Sequence, residues 1–340
     1  MPPIQPAGQR IFLKATWQRV IAGILAVVMV LGVVFYAGPR NAFGPETPTS
    51  RDALPQDIAQ LEPWLAQSEA AFTDIKPNNE KHITWAGASG QRTAWSVVYL
   101  HGFSASRLET APLTDLVAKA LDANVFYTRL SGHGRSDAAM GDATVQDWLA
   151  DAKEALAIGR LLGDKVLVIS CSNGATLATW LEIHGDRQHI AGHVFISPNF
   201  GPKDARAELM NGPWGHQIAF ALLGENRVVA PPNAANGAAW SYSYPTRALF
   251  PMMALVKGVR DSNLQSFQSP LLALYSERDQ TVEPAQAKAA FTRIGSSNKT
   301  LLAVDYSESK GQHVIAGDLR APSATAPMAK TIINWAKALP

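Results

Sequence analysis

Ser172 lies in a short turn whose residue types suit a nucleophilic serine. The run at 165–174, KVLVISCSNG, predicts a strand that breaks into the turn CSNG, and a helix-like run at 175–184 follows it. A strand, a tight turn and a helix form a nucleophile elbow, in which the central side chain stands clear of the sheet edge. Small residues are needed two positions before and after that serine, because the backbone crowds there. Gly174 meets this need, whereas Ser170 replaces the more usual glycine.

Two other interpretations of this turn need to be considered. A serine among small residues can be no more than a turn residue. Cys171 is also a potential nucleophile, but it stands one position away from the apex of the elbow, so we reject it in favour of Ser172. Residues elsewhere in the chain must decide whether the serine is catalytic.

The end of a second predicted strand could supply an oxyanion hole. Gly102 follows the strand that ends at Leu100, and a glycine there frees the backbone. The N–H of Phe103 could then act together with the N–H of Asn173, the residue after the serine, on a developing negative charge. The dipeptide His-Gly alone is a weak signal.

An acidic residue follows a third predicted strand. Asp279 lies in a turn just after the strand at 271–275, where a carboxylate could orient a histidine. The alternative is a turn or N-cap role for Asp279 before the predicted helix at 284–294. Glu277 is the competing acid.

A histidine follows the last predicted strand. His313 lies in the loop sequence GQHV, beyond the strand at 299–304. A lone loop histidine is usually only a solvated residue. Here the order along the chain is Ser172, Asp279, His313, which is one of the known orders of a catalytic triad.

The elements that would position these residues indicate the α/β fold class. Apolar runs rich in β-branched and aromatic residues alternate with helical patterns, which predicts a mostly parallel, doubly wound sheet with sites at the carboxyl ends of its strands. The predicted strands are 81–85, 94–100, 125–129, 165–170, 193–196, 271–275 and 299–304. The predicted helices are 54–72 (with a break expected at Pro63), 144–162, 175–184 and 284–294.

The alternation of strands and helices breaks down between Pro198 and Pro270. This stretch is too long for a plain connection, so we predict an inserted helical cap at about 199–269. Its many aromatic residues and methionines could form the cap's own core or an apolar surface that binds substrate.

An uncharged apolar stretch near the N-terminus predicts a membrane anchor. Val20–Ala37 is long enough to cross the hydrocarbon core as a helix. A buried core helix is disfavoured because the stretch is apolar on all faces, and a cleaved signal peptide is disfavoured because its apolar region would be shorter. The segment 38–56 is rich in Pro, Gly and polar residues, which predicts a linker to the main domain at 57–340.

Basic residues favour one orientation of this anchor. Arg10, Lys14 and Arg19 precede the apolar stretch, so the positive-inside rule places the tail 1–19 in the cytoplasm and the main domain outside it. We expect a single-pass protein of a bacterial inner membrane, with its main domain on the extracytoplasmic side.

Composition excludes several other classes of function. The net charge is +2 without a run rich in Lys and Arg, so nothing indicates nucleic-acid binding. A single cysteine, Cys171, rules out an intrachain disulfide bond, and no Cys and His spacing predicts a metal site. We expect neither a metal nor a cofactor.

Five ordered motifs give the sequence a family resemblance. They are VVYLHGFSAS (97–106), YTRLSGHGRS (127–136), VISCSNG (168–174), LYSERDQTV (274–282) and GQHV (311–314). With them, residues of about 81–338 resemble an α/β-hydrolase, in the branch that includes monoacylglycerol lipases, lysophospholipases and serine aminopeptidase-like hydrolases.

The resemblance assigns expected roles. It implies Ser172 as nucleophile, Asp279 as the acid, His313 as base, and the N–H groups of Phe103 and Asn173 as the oxyanion hole. It also implies that the insertion is a lid, and His133 matches a family position with a structural role.

The expected activity is hydrolysis of carboxylic esters, with a small-molecule ester or an acyl lipid as substrate. Hydrolysis of amides or peptides by the same triad, as in serine aminopeptidase-like relatives, is the alternative. A non-catalytic binding protein with the same fold is the third possibility. The sequence does not define the oligomeric state.

Overall fold

A seven-stranded sheet forms the centre of the structure. The computed structural model describes residues 7–185 and 187–340, with side chains from Trp17 onward. The strands of the described chain, in the central sheet and outside it, are β1 (His82–Thr84), β2 (Thr93–Leu100), β3 (Asn124–Tyr127), β4 (Gly163–Cys171), β5 (Ile190–Ile196), β6 (Asn226–Arg227), β7 (Tyr244–Pro245), β8 (Leu271–Tyr275) and β9 (Lys299–Ala303). The order across the sheet is β1-β3-β2-β4-β5-β8-β9. Within this seven-stranded sheet the β1–β3 pair is antiparallel and the other pairs are parallel, whereas β6 and β7 form a separate antiparallel ribbon.

The central strands are continuous apolar runs because helices cover both faces of the sheet. The described helices are α1 (Ala7–Tyr36), α2 (Leu61–Glu69), α3 (Leu113–Ala120), α4 (Val145–Leu162), α5 (Asn173–Ile183), α6 (Gly215–Leu223), α7 (Ala234–Ala239), α8 (Leu249–Asp261), α9 (Pro284–Arg293) and α10 (Pro322–Lys337). One core cluster joins the sheet to α2, α4, α5, α8 and α9. A second cluster joins the opposite face to α3 and α10. The predicted doubly wound α/β fold is confirmed.

The break expected at Pro63 is not observed, and a single glycine joins α4 to β4. Pro63 lies in the first turn of α2 and does not break it, because the N–H groups of a first turn have no partner within the helix. Gly163 follows α4 with an extended backbone and begins β4 directly. A Cβ at Gly163 would lie 2.5 Å from the backbone N of Ser96, so strand packing requires this glycine.

The stretch between β5 and β8 forms a set of short elements above the sheet. It contains α6, α7, α8 and the two-stranded β6–β7 ribbon. Helix α8 buries Phe250 and Met253 and also packs against α5. Aromatic contacts link the stretch to the base of the fold, since the ring of Tyr244 lies 5.5 Å from the ring of Phe103.

Helix α1 includes the predicted apolar stretch up to Tyr36, one residue short of its predicted end at Ala37. Within the described residues, its segment Trp17–Tyr36 is the one helix long and apolar enough to cross a membrane, with a mean hydropathy of 2.4 and no part buried. The helix ends at Tyr36, where the indole N–H of Trp214 donates to the carbonyl of Phe35. The predicted tail 1–19 lies partly outside the described residues.

The segment 38–56 lies against the rest of the fold. The side-chain amide of Asn41 donates to the carbonyl of Phe250 (2.8 Å), and the Thr49 N–H donates to a carbonyl of α4. Arg51 forms an ion pair with the buried Asp151 at 2.8 Å. Phe43 packs against the first core cluster. This segment therefore has fixed contacts with both the cap and the base.

Candidate active site

The turn after β4 holds Ser172 in a strained backbone conformation. Its φ is 51° and its ψ is −113°, a combination that non-glycine residues rarely adopt. Its N–H donates to the carbonyl of Ile196, and α5 begins at the next residue. The strain points the side chain away from the sheet edge, as an elbow requires.

The residues two positions before and after Ser172 are both tightly packed. A Cβ at Gly174 would lie 2.1 Å from the carbonyl oxygen of Leu100, so no larger residue fits there. Ser170 is fully buried on the central strand, and its hydroxyl lies 3.4 Å from the carbonyl of Val194. The fold accommodates a serine where glycine is more usual.

Three predicted site residues form one hydrogen-bonded chain. The Nδ1 of His313 lies 2.7 Å from an Oδ2 oxygen of Asp279, and its Nε2 lies 2.9 Å from Oγ of Ser172. A carboxylate can only accept, so Nδ1 carries the proton and Nε2 can accept the serine O–H. These hydrogen bonds join residues that are far apart in the sequence. Asp279 is 107 positions and His313 is 141 positions after Ser172.

Asp279 rather than Glu277 faces the histidine. The Oδ1 atom of Asp279 accepts the N–H groups of Thr281 and Val282, at 2.7 and 3.0 Å. One carboxylate thus stabilises the turn through one oxygen and contacts the histidine through the other. Glu277 is exposed and instead contacts the Tyr275 hydroxyl and the Lys288 ammonium.

The loop after β2 lies beside the serine. A Cβ at Gly102 would lie only 3.3 Å from Cβ of Ser172, which places the next residue, Phe103, at the rim of the same site. Asn173 is the first residue of α5, and N–H groups at a helix start have no partner within the helix. Both predicted oxyanion donors are thus placed next to the serine by the ends of β2 and β4.

Glu109 is a buried acid that the sequence analysis did not identify. Its Oε1 accepts the Gly102 N–H at 2.7 Å and the Tyr99 hydroxyl at 3.0 Å. Burial raises the pKa of the Glu109 carboxyl to about 7, and these two hydrogen bonds oppose the shift. Glu109 comes from a 3₁₀ turn seven residues after Gly102, and no motif in the sequence marks it.

Two buried histidines support the same loop. The Leu130 N–H donates to Nε2 of His101, so Nδ1 carries the proton and donates to the Gly102 carbonyl at 2.9 Å. Burial lowers the pKa of His101 to about 4, so the ring stays neutral near pH 7. His133 packs against the rings of Phe103 and Trp148, away from the serine's hydrogen bonds.

Cys171 is not available as a nucleophile. Its side chain is fully buried, and burial together with the nearby Glu109 carboxylate raises the pKa of the thiol well above its usual range. A protonated thiol that solvent cannot reach is unreactive. The side chain instead packs in the second core cluster.

A cavity of about 410 Å³ opens over Ser172 and His313. Its lining comes from the loops after the sheet strands β2, β4, β8 and β9, here called the base of the fold, and from the stretch between β5 and β8. Its apolar wall includes Phe103, Met252 and Met253. Its remaining lining residues are Ser104, Asn199, Pro202, Arg227, Trp240, Ser241, Tyr242, Tyr244, Thr281, Val282, Ser309, Gly311, Val314 and Arg320. A volume of this size can hold a small ligand.

Known proteins show similarity to the chain in sequence and in structure. The thermostable monoacylglycerol lipase of Bacillus sp. (strain H-257) is 26% identical over 206 residues, which cover 61% of this chain and 79% of that enzyme. A structure of the metagenome-derived lipolytic enzymes LipS and LipT has a TM-score of 0.61 at 19% identity, and the match covers 77% of this chain and 99% of that one. The monoacylglycerol lipase of Paleococcus ferrophilus has a TM-score of 0.55 at 16% identity, over 76% of this chain and 98% of that one.

The family model described as serine aminopeptidase S33 (Hydrolase_4) matches residues 91–308, which is more than half of the chain. This range begins just before β2 and includes Ser172 and Asp279. The match confirms the resemblance predicted from the five motifs. The chain therefore belongs to the serine aminopeptidase S33 family and is a lipase- and esterase-like α/β-hydrolase.

Proposed function

We propose that this protein hydrolyses carboxylic esters through an acyl-enzyme on Ser172, with His313 as base and Asp279 as the acid that orients it. The observation that carries the proposal is the hydrogen-bonded chain of these three side chains, which opens into the cavity. Family membership supports the same chemistry.

The geometry supports a mechanism in two halves. His313 takes the proton of Ser172 as its Oγ attacks the ester carbonyl, and the N–H groups of Phe103 and Asn173 stabilise the oxyanion. His313 then returns the proton to the leaving alcohol. Water attacks the acyl-enzyme with His313 again as base, which releases the acid and restores the serine.

The cavity lining favours an ester over an amine-bearing peptide. A serine aminopeptidase needs an anionic group for the substrate's amino terminus, but no Asp or Glu lines the cavity among the described residues. Phe103, Met252 and Met253 offer an apolar wall for an acyl chain. Because a relative of this chain is a monoacylglycerol lipase, monoacylglycerols are the first lipids to test.

A fluorophosphonate probe tests the proposed nucleophile. The wild type should be labelled and Ser172→Ala should not. Cys171→Ser is the matched control in the neighbouring position, and it should retain labelling because the thiol is buried. Absence of labelling in the wild type, or equal labelling of Ser172→Ala, would identify a non-catalytic protein or a different nucleophile.

A substrate panel separates the ester and amide alternatives. We expect p-nitrophenyl esters of several chain lengths to be hydrolysed, and aminoacyl p-nitroanilides to be hydrolysed far more slowly. Faster hydrolysis of the anilides would make the serine aminopeptidase alternative correct.

We also propose that residues 199–269 form a lid over the serine within a hydrolase domain at 57–340. The cap helix α8 and the β6–β7 ribbon contribute Met252, Met253, Arg227 and Tyr244 to the cavity wall. Substrate must therefore pass between these elements and the base of the fold to reach Ser172.

For the N-terminal region, we propose that Val20–Ala37 is an uncleaved anchor and that 38–56 links it to the extracytoplasmic domain. The apolar helix and the basic residue Arg19 on its N-terminal side support this arrangement in a bacterial inner membrane. A reporter that is active only in the cytoplasm should be silent when fused after Pro340. A bright reporter would show the inverted orientation.

A further inference from the structure

Two arginines line the cavity over Ser172. Arg320 lies seven residues after His313, in the loop that leads to α10, whereas Arg227 belongs to the β6–β7 ribbon of the cap. The base and the cap each therefore contribute one guanidinium to the same cavity. Neither arginine takes part in the hydrogen-bonded chain of Ser172, His313 and Asp279.

Neighbouring side chains hold Arg320 in place. Its Nη2 donates to the Tyr242 hydroxyl at 2.5 Å, and the guanidinium lies 4.8 Å from the ring centroid of Trp240. Arg320 is half-buried. An arginine that is stacked on an aromatic ring and anchored at one nitrogen keeps its other N–H donors in a defined direction.

Arg227 is exposed at the cavity wall, with its guanidinium 5.8 Å from the ring centroid of Tyr244. Tyr244 is buried and contacts Phe103, the proposed oxyanion residue. Arg227 therefore lines the cavity from the cap side, where Tyr244 packs between it and the ring of Phe103.

Neither guanidinium forms an ion pair with a described residue. Within the part of the chain that the structure describes, no carboxylate oxygen lies within 4.0 Å of either guanidinium, and no carboxylate lines the cavity. Glu225 and Asp318 are each two residues away in sequence but form no ion pair with them. Elsewhere in the cap, Arg247 pairs with Asp142 and Arg260 pairs with Glu208.

We propose that the cavity selects esters that carry a negatively charged group, a carboxylate or a phosphate, which Arg227 and Arg320 bind. The proposal rests on the ester hydrolysis proposed above. Guanidinium N–H groups match the oxygens of both anions, and two unpaired cations beside a carboxylate-free cavity raise the local concentration of an anionic substrate. The reaction at Ser172 is unchanged, since the arginines act only on binding.

Two matched substrate pairs test this selectivity and separate the two anions. The first pair is mono-p-nitrophenyl glutarate against p-nitrophenyl pentanoate, in which a methyl group replaces the carboxylate at the end of the acyl chain. The second is 1-acyl lysophosphatidic acid against the monoacylglycerol with the same acyl chain, which differ by a phosphate on the alcohol side. In at least one pair we expect the wild type to show a kcat/KM for the anionic ester that is about tenfold higher or more, and that falls as salt is added.

The variants Arg227→Gln and Arg320→Gln should each reduce the ratio of anionic to neutral kcat/KM, and together by about tenfold or more. Arg320→Lys should restore part of the ratio. Arg247→Gln is the matched control, because it removes a cap arginine that lies outside the cavity. It should leave the ratio unchanged. Fluorophosphonate labelling of each variant shows that its site is folded.

Each outcome has a distinct meaning. A wild-type ratio of one or below in both pairs would overturn the proposed selectivity, as would an unchanged ratio in the double variant. The ester hydrolysis itself would stand in both cases if the neutral esters are cleaved. Failure to cleave any of the four substrates would instead count against the proposed function.

Discussion

At the scale of single residues, Asp279 uses its two carboxylate oxygens for different purposes. Oδ1 accepts the N–H groups of Thr281 and Val282, which defines the turn after β8, and Oδ2 accepts Nδ1–H of His313. The turn thus aims the second oxygen at the histidine. A residue that could keep the turn but could no longer accept from His313 would separate the two roles.

Asp279→Asn is that substitution. We expect kcat for a p-nitrophenyl ester to fall by about 10⁴-fold, with little change in thermal stability, because an amide that keeps the turn can hold His313 in the wrong tautomer. Steady-state kinetics and a thermal melt measure the two effects. Glu277→Gln is the matched control and should keep kcat within about threefold. A comparable loss in both variants would contradict the assignment of Asp279.

Glu109 couples the site to pH through protein stability. Burial raises its pKa to about 7, above the ordinary value of 4.5. Between those two pH values the folded protein keeps a proton that the unfolded chain has already released. The free energy of unfolding contributed by this carboxyl therefore decreases as the pH rises from about 4.5 to 7.

Glu109→Gln should remove this dependence, because glutamine keeps an oxygen that can accept the Gly102 N–H but does not titrate. The free energy of unfolding of the variant minus that of the wild type should rise by on the order of 3 kcal/mol from pH 4.5 to pH 8. Urea unfolding at both pH values measures this difference. Glu109→Ala serves as the control, since it leaves the N–H without an acceptor and should be less stable than Glu109→Gln. An equal difference between wild type and Glu109→Gln at both pH values would show that Glu109 keeps its ordinary pKa.

At the scale of elements, the crossing of β2, β4 and α5 decides where the serine lies. The first turn of α5 passes so close to the end of β2 that a Cβ at Gly174 would stand 2.1 Å from the carbonyl oxygen of Leu100. Backbone atoms cannot move aside as a flexible side chain does. The elbow therefore depends on this glycine more than on the residue at 170, where a serine fits.

Gly174→Ala should lower the free energy of unfolding by at least ~3 kcal/mol, because the two backbones must separate to admit the methyl group. A urea unfolding curve, or loss of soluble protein, measures this effect. Gly87→Ala is the matched control: its added Cβ meets nothing within 4 Å, and the change should stay within about 0.5 kcal/mol. Equal stability of the two variants would disprove the close approach.

At the scale of the whole molecule, the segment after α1 connects three parts. The indole of Trp214 in the cap contacts the end of α1, Asn41 contacts α8, and Arg51 contacts α4. Phe43 packs against the first core cluster. Because of these contacts, we expect residues 38–56 to stabilise the fold in addition to connecting it to the apolar helix.

Two truncations separate the anchor from this packing role. The chain should be found in the membrane fraction, whereas deletion of 1–37 should release a folded, labelled enzyme into the supernatant. Deletion of 1–56 should in addition lower Tm by roughly 5 °C or more, because the contacts of Phe43 and Arg51 are lost. Fractionation and thermal melts measure both effects. A full-length chain in the supernatant would contradict the anchor. An equal Tm of the two truncated proteins would contradict the stabilising role of residues 38–56.

The amino-acid sequence by itself determined the fold class and the predicted site residues. Continuous apolar runs indicate buried parallel strands, and the turn-forming residues that follow them place Ser172, Asp279 and His313 beyond the carboxyl ends of those strands. These signals lie within a few residues of each position. They also indicate the apolar stretch that forms most of α1. Helices α3 and α10 were not predicted from the sequence, since α3 is short and Pro327 lies inside α10.

The tertiary structure alone decided which side chains meet. Asp279 and Glu277 are two residues apart; the family resemblance implied Asp279, and the turn after β8 brings its carboxylate, not that of Glu277, into contact with His313. Glu109 reaches Gly102 through the packing of a loop that carries no motif. Arg227 and Arg320 are 93 positions apart and share a cavity only because the cap folds over the carboxyl ends of the strands. Contacts between distant segments depend on how whole elements pack, and the residues near each position do not encode that packing.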